Sequence, residues 1–321
     1  MAGTTLSTTS GISSQIQDYF DKKLLTQTLK TIVLDQFAYK AALPGKAGHK
    51  TVRFFRYPES ATTDVQTMTE GTLLTLGNSK QLSLTTVDVT LAQYGQTVTI
   101  SDLLSAVELF NTMEQATVQN GQDAGLKVDE LLRNILGNSS AIQLRYAGAA
   151  TNYATVGGTD DAMTALDILD AATNLRVNNA RPSGGYFTAV MAPEVARDLM
   201  NDDDWLEASK YGSPDQLFRG EVGRYMGVRV VTTTNPYRQN TQRTYNAAGT
   251  KYSTFVVGDQ AYGGVNLATM SAYSPKMIIS QGADKSDPLA QLTTVGFKFY
   301  YGGAIINANH AVNIYSVTNY S

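Results

Sequence analysis

The chain has 321 residues, of which 42% are hydrophobic and 17% charged, and its formal net charge is −3. This length suffices for one large or two ordinary domains with a buried core, and the near-neutral charge excludes the global basic excess typical of a dedicated nucleic-acid-binding protein. Because the chain has no cysteine, a disulfide scaffold, a thiol nucleophile and the usual Cys-containing zinc sites are excluded as well.

The N-terminal region predicts an arm. Residues 1–14 are mostly Thr, Ser and Gly, a composition too polar to bury much surface without a partner. Apolar residues then recur at helical spacing from Ile16 to Val33, which predicts one or two amphipathic helices from 15 to about 40. The start of the chain has neither a basic region nor an apolar core, and no apolar run is long enough to span a membrane, so we expect a soluble protein made in the cytosol.

A β-rich segment follows the arm. The alternating residues 52–57, VRFFRY, predict a strand with aromatic side chains on both faces, and 82–91 predict a returning strand with a bulge near 85–86. Between the two strands, residues 58–80 are polar with few large apolar groups. Stretches of this length without a core of their own are often functional, so we expect 50–95 to form an extended hairpin.

The clearest helix begins after Ser101. This residue is a good N-cap, and apolar residues recur every three or four positions until Gly137. The pattern predicts one continuous helix over 101–137, about 55 Å long at 1.5 Å per residue. Gly121 or Gly125 is the expected place of any bend.

The second half of the chain predicts an α/β region. Its patterns indicate helices at 161–178 and 193–201 and strands at 186–191, 228–234 and 253–257. This order is typical of a mixed sheet with flanking helices. Near the C-terminus, alternation on both sides of Gly302 and Gly303 predicts two strands joined by a Gly-Gly turn.

The sequence gives little support to a catalytic or metal site. The two histidines, His49 and His310, lie far apart, and neither accompanies a nucleophile motif such as G-x-S-x-G. Asp202, Asp203 and Asp204 are oxygen ligands of the kind that Mg²⁺ and Ca²⁺ take, but adjacent carboxylates point in different directions, which favours a solvated acidic turn. We therefore predict that the protein is not an enzyme and needs no cofactor or metal, with a metal-dependent hydrolase as an alternative.

Two groups of residues are predicted to contact neighbouring subunits. The first lies near the middle of the polar stretch, in a Gly- and Thr-rich segment without an obvious partner in the chain, and consists of Glu70, Leu73, Leu74 and Leu76. The second is the aromatic pair Trp205 and Tyr211 beside the acidic turn, because exposed aromatic side chains are preferred hot-spot residues. Packing in the core is an alternative for this pair.

Six strings occur in a characteristic order along the chain. They are KTVRFFRYPE at 50–59, TEGTLLTLG at 69–77, LAQYGQTVTISDLL at 91–104, GEVGRYMGVRVVTTTNP at 220–236, FVVGDQAYGGVNL at 255–267 and DPLAQLTTVGFKFYYGGAIINANHAVNIYSV at 287–317. In this order and spacing they resemble the major capsid proteins of tailed bacteriophages. Each string alone is unspecific, and together they cover most of the chain.

This resemblance implies an α+β fold of the phage major capsid type, with a long spine helix. The implied parts are an N-terminal arm (1–49), a β-hairpin E-loop (50–95), a peripheral P-domain with the spine helix (96–159), a mixed α/β axial A-domain (160–280) and C-terminal strands returning to the P-domain (281–321).

The function implied by the resemblance is self-assembly through pentamers and hexamers into an icosahedral shell around viral double-stranded DNA. The implied location is the virion capsid, assembled in the cytoplasm of the bacterial host. The implied partners are further copies of the chain, scaffolding, portal and decoration proteins, and DNA held by non-specific contacts, but no membrane. An encapsulin-type nanocompartment, which shares the fold and encloses enzymes, is the alternative.

Overall fold

The computed structural model shows two β-sheets, a separate two-stranded ribbon and several helices. It describes residues 19, 21–28, 32–45, 48–58, 70–71, 82–107, 111–157, 159–210, 223–238, 250–268, 275–280, 288–289 and 291–319. In chain order the strands are β1 (Tyr39–Leu43), β2 (Thr51–Arg56), β3 (Thr85–Thr90), β4 (Ala92–Ser101), β5 (Gln143–Tyr146), β6 (Phe187–Met191), β7 (Arg224–Tyr225), β8 (Val228–Thr232), β9 (Tyr237–Arg238), β10 (Tyr252–Val257), β11 (Tyr262–Leu267), β12 (Lys276–Ser280), β13 (Leu292–Ile305) and β14 (Ala311–Ser316). The helices are α1 (21–28), α2 (Asp102–Val107), α3 (Thr112–Gly137), α4 (Ala165–Val177), α5 (Pro193–Met200) and α6 (Asp203–Lys210), with 3₁₀ turns at Leu34–Phe37, Thr159–Asp161 and Ala308–His310.

Strand β13 is the central strand of the first sheet. It pairs antiparallel with β4 from Leu292 opposite Ser101 to Tyr301 opposite Ala92. Its other edge pairs antiparallel with β12 and then with β11, and β1 adds to β11 in parallel. Alternate side chains of β13, such as that of Phe299, are buried in the core that the sheet shares with α3, as expected for a half-buried strand.

Helix α3 supplies the main apolar face against the first sheet. Its side chains Ala124, Val128, Leu132 and Leu136 recur every four residues and are fully buried. The helix has 26 residues, which corresponds to about 39 Å.

The second sheet has the order β5-β14-β10-β6-β8-β7, with β9 paired to one end of β10. Strands β6 and β10 are buried along their whole length, and α4 packs on β8, β10 and β14. The predicted helices and strands of this region are confirmed as α4, β6, α5, β8 and β10. The two C-terminal strands were predicted to lie together, but β13 belongs to the first sheet and β14 to the second. The domain boundaries stay a prediction.

The predicted single helix over 101–137 is wrong, because the chain forms two helices here. Helix α2 begins after Ser101, whose Oγ accepts the N–H of Leu104 at 3.3 Å, as expected of an N-cap. Helix α3 begins after Asn111, whose backbone is extended (φ −70°, ψ 90°) and whose side chain accepts the N–H of Glu114 at 3.2 Å. Asn competes for backbone donors in this way, which favours a cap over a helix interior.

The arm is helical only in part. Helix α1 is described over residues 21–28, and the described part of the segment up to about 40 that was predicted as helix contains the 3₁₀ turn at 34–37 and the start of β1. Strand β1 forms because β11 offers it a parallel partner, and such a partner overrides local helical spacing.

The returning strand of the hairpin has no bulge near residues 85–86. Strand β3 begins at Thr85, and its register with β2 is unbroken from Arg56 opposite Thr85 to Thr51 opposite Thr90. The change of phase in the sequence arises because residues 82–84 lie before the strand.

The predicted Gly-Gly turn is also wrong. Strand β13 continues through Gly302 and Gly303, which pair with Val265 and Gly264 of β11. A Cβ atom at Gly302 would lie 2.7 Å from the carbonyl oxygen of Thr90. Glycine therefore permits the close approach of the hairpin to β13.

Substitution of Gly302 by Ala should lower the free energy of unfolding by about 1–3 kcal/mol, the usual cost of overpacking. Gly157→Ala is the control, because a Cβ atom there has no other atom within 4 Å. Urea unfolding of both variants measures the difference. Equal midpoints for the two variants would show that Gly302 is not closely packed.

Candidate assembly surfaces

The arm is anchored on α3 by a close helix contact at Gly121. The hydroxyl of Thr28 donates to the carbonyl oxygen of Gly121 at 3.0 Å, and a Cβ atom at this glycine would lie 2.7 Å from the carbonyl oxygen of Leu24. Leu24 and Thr28 are fully buried at this contact. Gly121 thus permits the close packing of the arm on α3, and a bend of the helix at this position stays a prediction.

A buried carboxylate of α3 holds the next part of the arm. Asp129, with 1% of its surface exposed, accepts the backbone N–H of Val33 at 3.0 and 2.9 Å and that of Leu34 at 3.0 Å. These donors precede and begin the 3₁₀ turn, so the carboxylate caps it. Burial raises the pKa of Asp129 to about 7; the backbone N–H groups of Val33, Leu34 and Asp35 oppose this shift, and the charge of Asp35 adds to it.

A second buried acid joins the arm to the first sheet. The hydroxyl of Tyr301 donates to Oδ1 of Asp35 at 2.6 Å, and that of Tyr262 donates to the carbonyl oxygen of Leu34 at 2.5 Å. Burial raises the pKa of Asp35, whereas the Tyr301 hydroxyl and Lys40, whose Nζ lies 3.7 Å from Oδ2, lower it. Helix α3, the sheet and the arm thus share one buried polar cluster.

This cluster was not predicted, although the sequence carries a signal for it. Asp129 lies between Val128 and Leu132 on the apolar stripe of α3. A charged residue at such a position is rarely buried unless it has partners. No local pattern, however, identifies the N–H groups about 95 positions earlier that serve as partners.

The hairpin ribbon packs one face on its own chain. The side chains of Phe54 and Val89 are buried with Leu43 and Val265 in a separate apolar cluster. The rings of Phe54 and Tyr39 meet edge to face with their centroids 5.9 Å apart. These contacts fix the base of the ribbon, which we call the ribbon root, to the first sheet.

The opposite face of the ribbon is exposed and partly apolar. On β2, Phe55 is 64% exposed. Arg53 forms a bidentate salt bridge with Asp88 of β3, in which Nε donates to Oδ1 at 2.6 Å and Nη2 to Oδ2 at 2.8 Å. Hydrogen bonding from Arg53 lowers the pKa of Asp88. Three apolar residues just beyond the paired strands, Tyr57, Leu82 and Leu84, are exposed as well. We call this surface the ribbon patch; it consists of Phe55, Tyr57, Leu82 and Leu84.

A polar contact fixes the direction of the ribbon. Arg56, the last residue of β2, donates from Nη1 to Oδ1 of Asn307. Asn307 lies in the connection between β13 and β14 and also accepts the N–H of Asn309 at 3.2 Å. The ribbon root is thereby tied to the segment that joins the two sheets.

A second exposed apolar group surrounds α2. Its members lie on α2, at the start of β13 and in the turn at 288–289 that precedes β13 in the sequence. The N–H of Asp102 donates to the carbonyl oxygen of Gln291 at 2.8 Å. Between 48% and 77% of each side chain is exposed, and the group consists of Leu103, Leu104, Val107, Leu289 and Leu292.

The residues predicted to contact other subunits are only partly described. Glu70 is exposed and precedes Gly71, whose φ is +82°. Leu73, Leu74, Leu76 and Tyr211 lie outside the described residues.

The expectation of an exposed ring at Trp205 is wrong. Its side chain is 8% exposed and packs in the core of the second sheet, with the ring centroid of Tyr225 at 5.3 Å. The ring lies there because residues 203–210 form α6 rather than a solvated turn, which directs the residue inward.

The three acidic residues at the start of α6 have structural roles. Asp202 accepts the N–H of Ala165 at 2.7 Å, at the start of α4. Asp203 and Asp204 lie in the first turn of α6, where the helix dipole favours negative charge. In the described part of the chain, no three Asp, Glu or His side chains are grouped so that they could hold a metal ion.

Comparison with known proteins identifies the fold. No protein-family model and no curated protein matches the sequence. The capsid of cyanophage P-SCSP1u is 18% identical, with a TM-score of 0.63, and the match covers 90% of this chain and 89% of that one. The acid-stable capsid of Helicobacter pylori bacteriophage KHP30 is 10% identical, with a TM-score of 0.67 and 88% of both chains covered. The chain has the fold of tailed-phage major capsid proteins.

A virus-like particle is similar to this chain as well. A virus-like particle from Pyrococcus furiosus is 11% identical, with a TM-score of 0.53, and the match covers 93% of this chain and 99% of that one. The α+β capsid fold predicted from the sequence is thus confirmed. Within the described residues, no helix combines the length and apolarity needed to cross a bilayer.

The stability that the contact between the arm and α3 provides should depend on pH, because Asp129 titrates. Because burial raises its pKa from the ordinary value of about 4 to about 7, the folded chain retains a proton that the unfolded chain releases. The stabilisation from this proton is complete below about pH 4 and is lost as the pH rises through 7.

The variant Asp129→Asn tests this dependence, because it cannot titrate. We expect the wild type to exceed the variant in free energy of unfolding at pH 5.5, and the excess to shrink by about 2 kcal/mol at pH 8. Urea unfolding of unassembled subunits at both pH values measures it. An excess that does not change with pH would contradict the titration of Asp129 in this range.

Proposed function

We propose that this chain is a major capsid protein that self-assembles into an icosahedral shell enclosing the double-stranded DNA of a bacteriophage. The observation that carries the proposal is the match to phage capsids over 88% to 90% of the chain at TM-scores from 0.63 to 0.67. The role is structural rather than catalytic.

The exposed surfaces suit such a role. Phe55 and Tyr57 are 64% and 60% exposed, on a ribbon whose other face is already buried. A patch on one side of a subunit that meets a different surface of the next makes a head-to-tail contact, and contacts of this kind form rings when the rotation between subunits closes. We propose that a second copy of the chain covers the ribbon patch.

The predicted contacts farther along the hairpin belong to the same proposal. They lie between the two strands of the ribbon in the sequence. We propose that these residues, Glu70, Leu73, Leu74 and Leu76, contact the same neighbour. Tyr211 stays a predicted contact of the second region. Trp205, which packs in its own core, is not proposed as a contact.

The remaining partners follow from the proposed shell. We propose pentamers and hexamers as building units, scaffolding, portal and decoration proteins as partners, and assembly in the bacterial cytoplasm. The net charge of −3 means that packaged DNA would be held by local Lys and Arg groups through non-specific contacts to phosphate.

A shell of the encapsulin type is the second candidate. The similarity to the virus-like particle from Pyrococcus furiosus favours it, because that match covers 99% of the particle's chain. The phage capsid is preferred because its TM-scores reach 0.67, against 0.53 for the particle.

Electron microscopy and analytical ultracentrifugation of the purified chain test the proposal. We expect rings or closed shells at micromolar concentration, alone or with a co-expressed scaffolding protein. Monomers under all of these conditions and over a wide range of salt would overturn it. Particles that enclose protein and no DNA during infection would favour the second candidate.

The ribbon patch provides a sharper test. The triple variant Phe55→Ser, Tyr57→Ser, Leu84→Ser removes exposed side chains, so the melting temperature of the free subunit should stay close to that of the wild type. Assembly should require at least a tenfold higher subunit concentration, because about 1.4 kcal/mol per contact is enough for that change.

A matched control removes exposed apolar side chains elsewhere. Leu166→Ser, Val177→Ser, Met226→Ser changes three residues that are 59%, 74% and 57% exposed, and it should assemble like the wild type. Equal assembly of both triple variants, measured by light scattering against concentration, would show that the ribbon patch is not an interface.

A further inference from the structure

The outer edge of β4 lacks the features that normally protect the edge of a sheet. The strand is ten residues long, with the sequence AQYGQTVTIS, and contains no charged residue and no proline. Its register with β13 is unbroken over the ten pairs, so no bulge interrupts the edge. Natural proteins usually keep edge strands short or place Lys, Pro or bulges in them, because an open edge is a template for another strand.

The register shows which backbone groups face outward. The N–H of Asp102 donates to the carbonyl oxygen of Gln291, and this pair continues the register of β4 with β13. Hydrogen-bonded and non-bonded pairs alternate along an antiparallel ladder. The even-numbered residues of β4 therefore bond to β13. The residues whose N–H and C=O groups point to the outer edge are Gln93, Gly95, Thr97 and Thr99.

A neighbouring contact supports this assignment. The N–H of Leu91, which has the same parity as the outward residues, donates to the carbonyl oxygen of Lys50 in the segment before β2, at 2.9 Å. Beyond this point no strand in the described ranges pairs with the outer edge of β4. The outward residues from Gln93 to Thr99 are all exposed.

Strand β12, on the opposite side of β13, has protective features that β4 lacks. Strand β12 has only five residues and begins with Lys276. The N–H of Met277 donates to Asp21 of α1 at 3.1 Å, so the arm contacts this edge. The edge at β12 is thus short, begins with a charged residue and is bonded to the arm, whereas the edge at β4 is long and uncharged.

We propose that the outer edge of β4 accepts an extended strand from a second copy of this chain. The inference rests on the proposed function and adds the mode of contact. A second copy is the favoured occupant, because the edge adjoins the ribbon proposed as an interface and β4 carries no charge that would repel a like surface. Main-chain hydrogen bonds supply the affinity in such strand addition.

The variant Thr97→Pro tests the proposal. It removes an outward N–H but no bond to β13, and proline is tolerated on an edge strand at such a position. We expect a folded subunit whose assembly requires at least about tenfold more protein. Thr97→Val is the matched control, because it keeps the N–H and a similar side-chain shape, and it should assemble like the wild type.

Hydrogen exchange of the wild type gives an independent readout. In free subunits the outward amides of 92–101 should exchange quickly and those bonded to β13 slowly, and in particles both sets should be slow. Normal assembly of Thr97→Pro, or outward amides that exchange alike in both states, would overturn the strand addition while leaving the proposed shell intact. A wild type that remains monomeric would overturn both, and exchange in wild-type particles decides the matter if Thr97→Pro does not fold.

Discussion

Strand β13 has backbone pairing partners on both sides, and the first sheet, α3 and the hairpin take their positions from it. One side pairs with β4 over ten residues, and the other is shared by β12 and β11. Its buried side chains pack against α3, and its Gly302 lets the hairpin approach. Since a buried backbone group without a partner is costly, a strand of 14 residues is stable here only because these partners are present together.

Local patterns predicted the central elements of the second sheet, α4, β6, α5, β8 and β10, and the two helices among them carry their own start signals. Thr164 and Asp167 form a reciprocal capping box at the start of α4, and Pro193 occupies the first position of α5. The first sheet was predicted less well. Strand β1 forms beside β11, which lies more than 200 positions later in the sequence. Strand β13 continues through its glycines because it too pairs with β11. Neither pairing is visible in a local stretch of sequence.

The candidate surfaces, too, were predicted only where a local pattern determines which side chains are exposed. Alternation in 52–57 predicted both aromatic faces of the ribbon, and the structure separates them into buried Phe54 and exposed Phe55. Composition alone did not separate Trp205 in the core from an exposed aromatic anchor, because exposure depends on whether residues 203–210 form a helix. The buried acids Asp35 and Asp129 escaped prediction for a related reason, since their partners come from the arm and from the first sheet.

The contact between Arg56 and Asn307 has a mechanical consequence. It joins the ribbon root to the connection between the two sheets, so the ribbon cannot swing at its base without straining that connection. In a shell whose subunits occupy differently curved surroundings, adjustment of the hairpin angle would fall beyond this anchor, at Tyr57 and Pro58. The part of the hairpin whose angle can change with the curvature of the shell therefore begins at Tyr57, directly after the anchor.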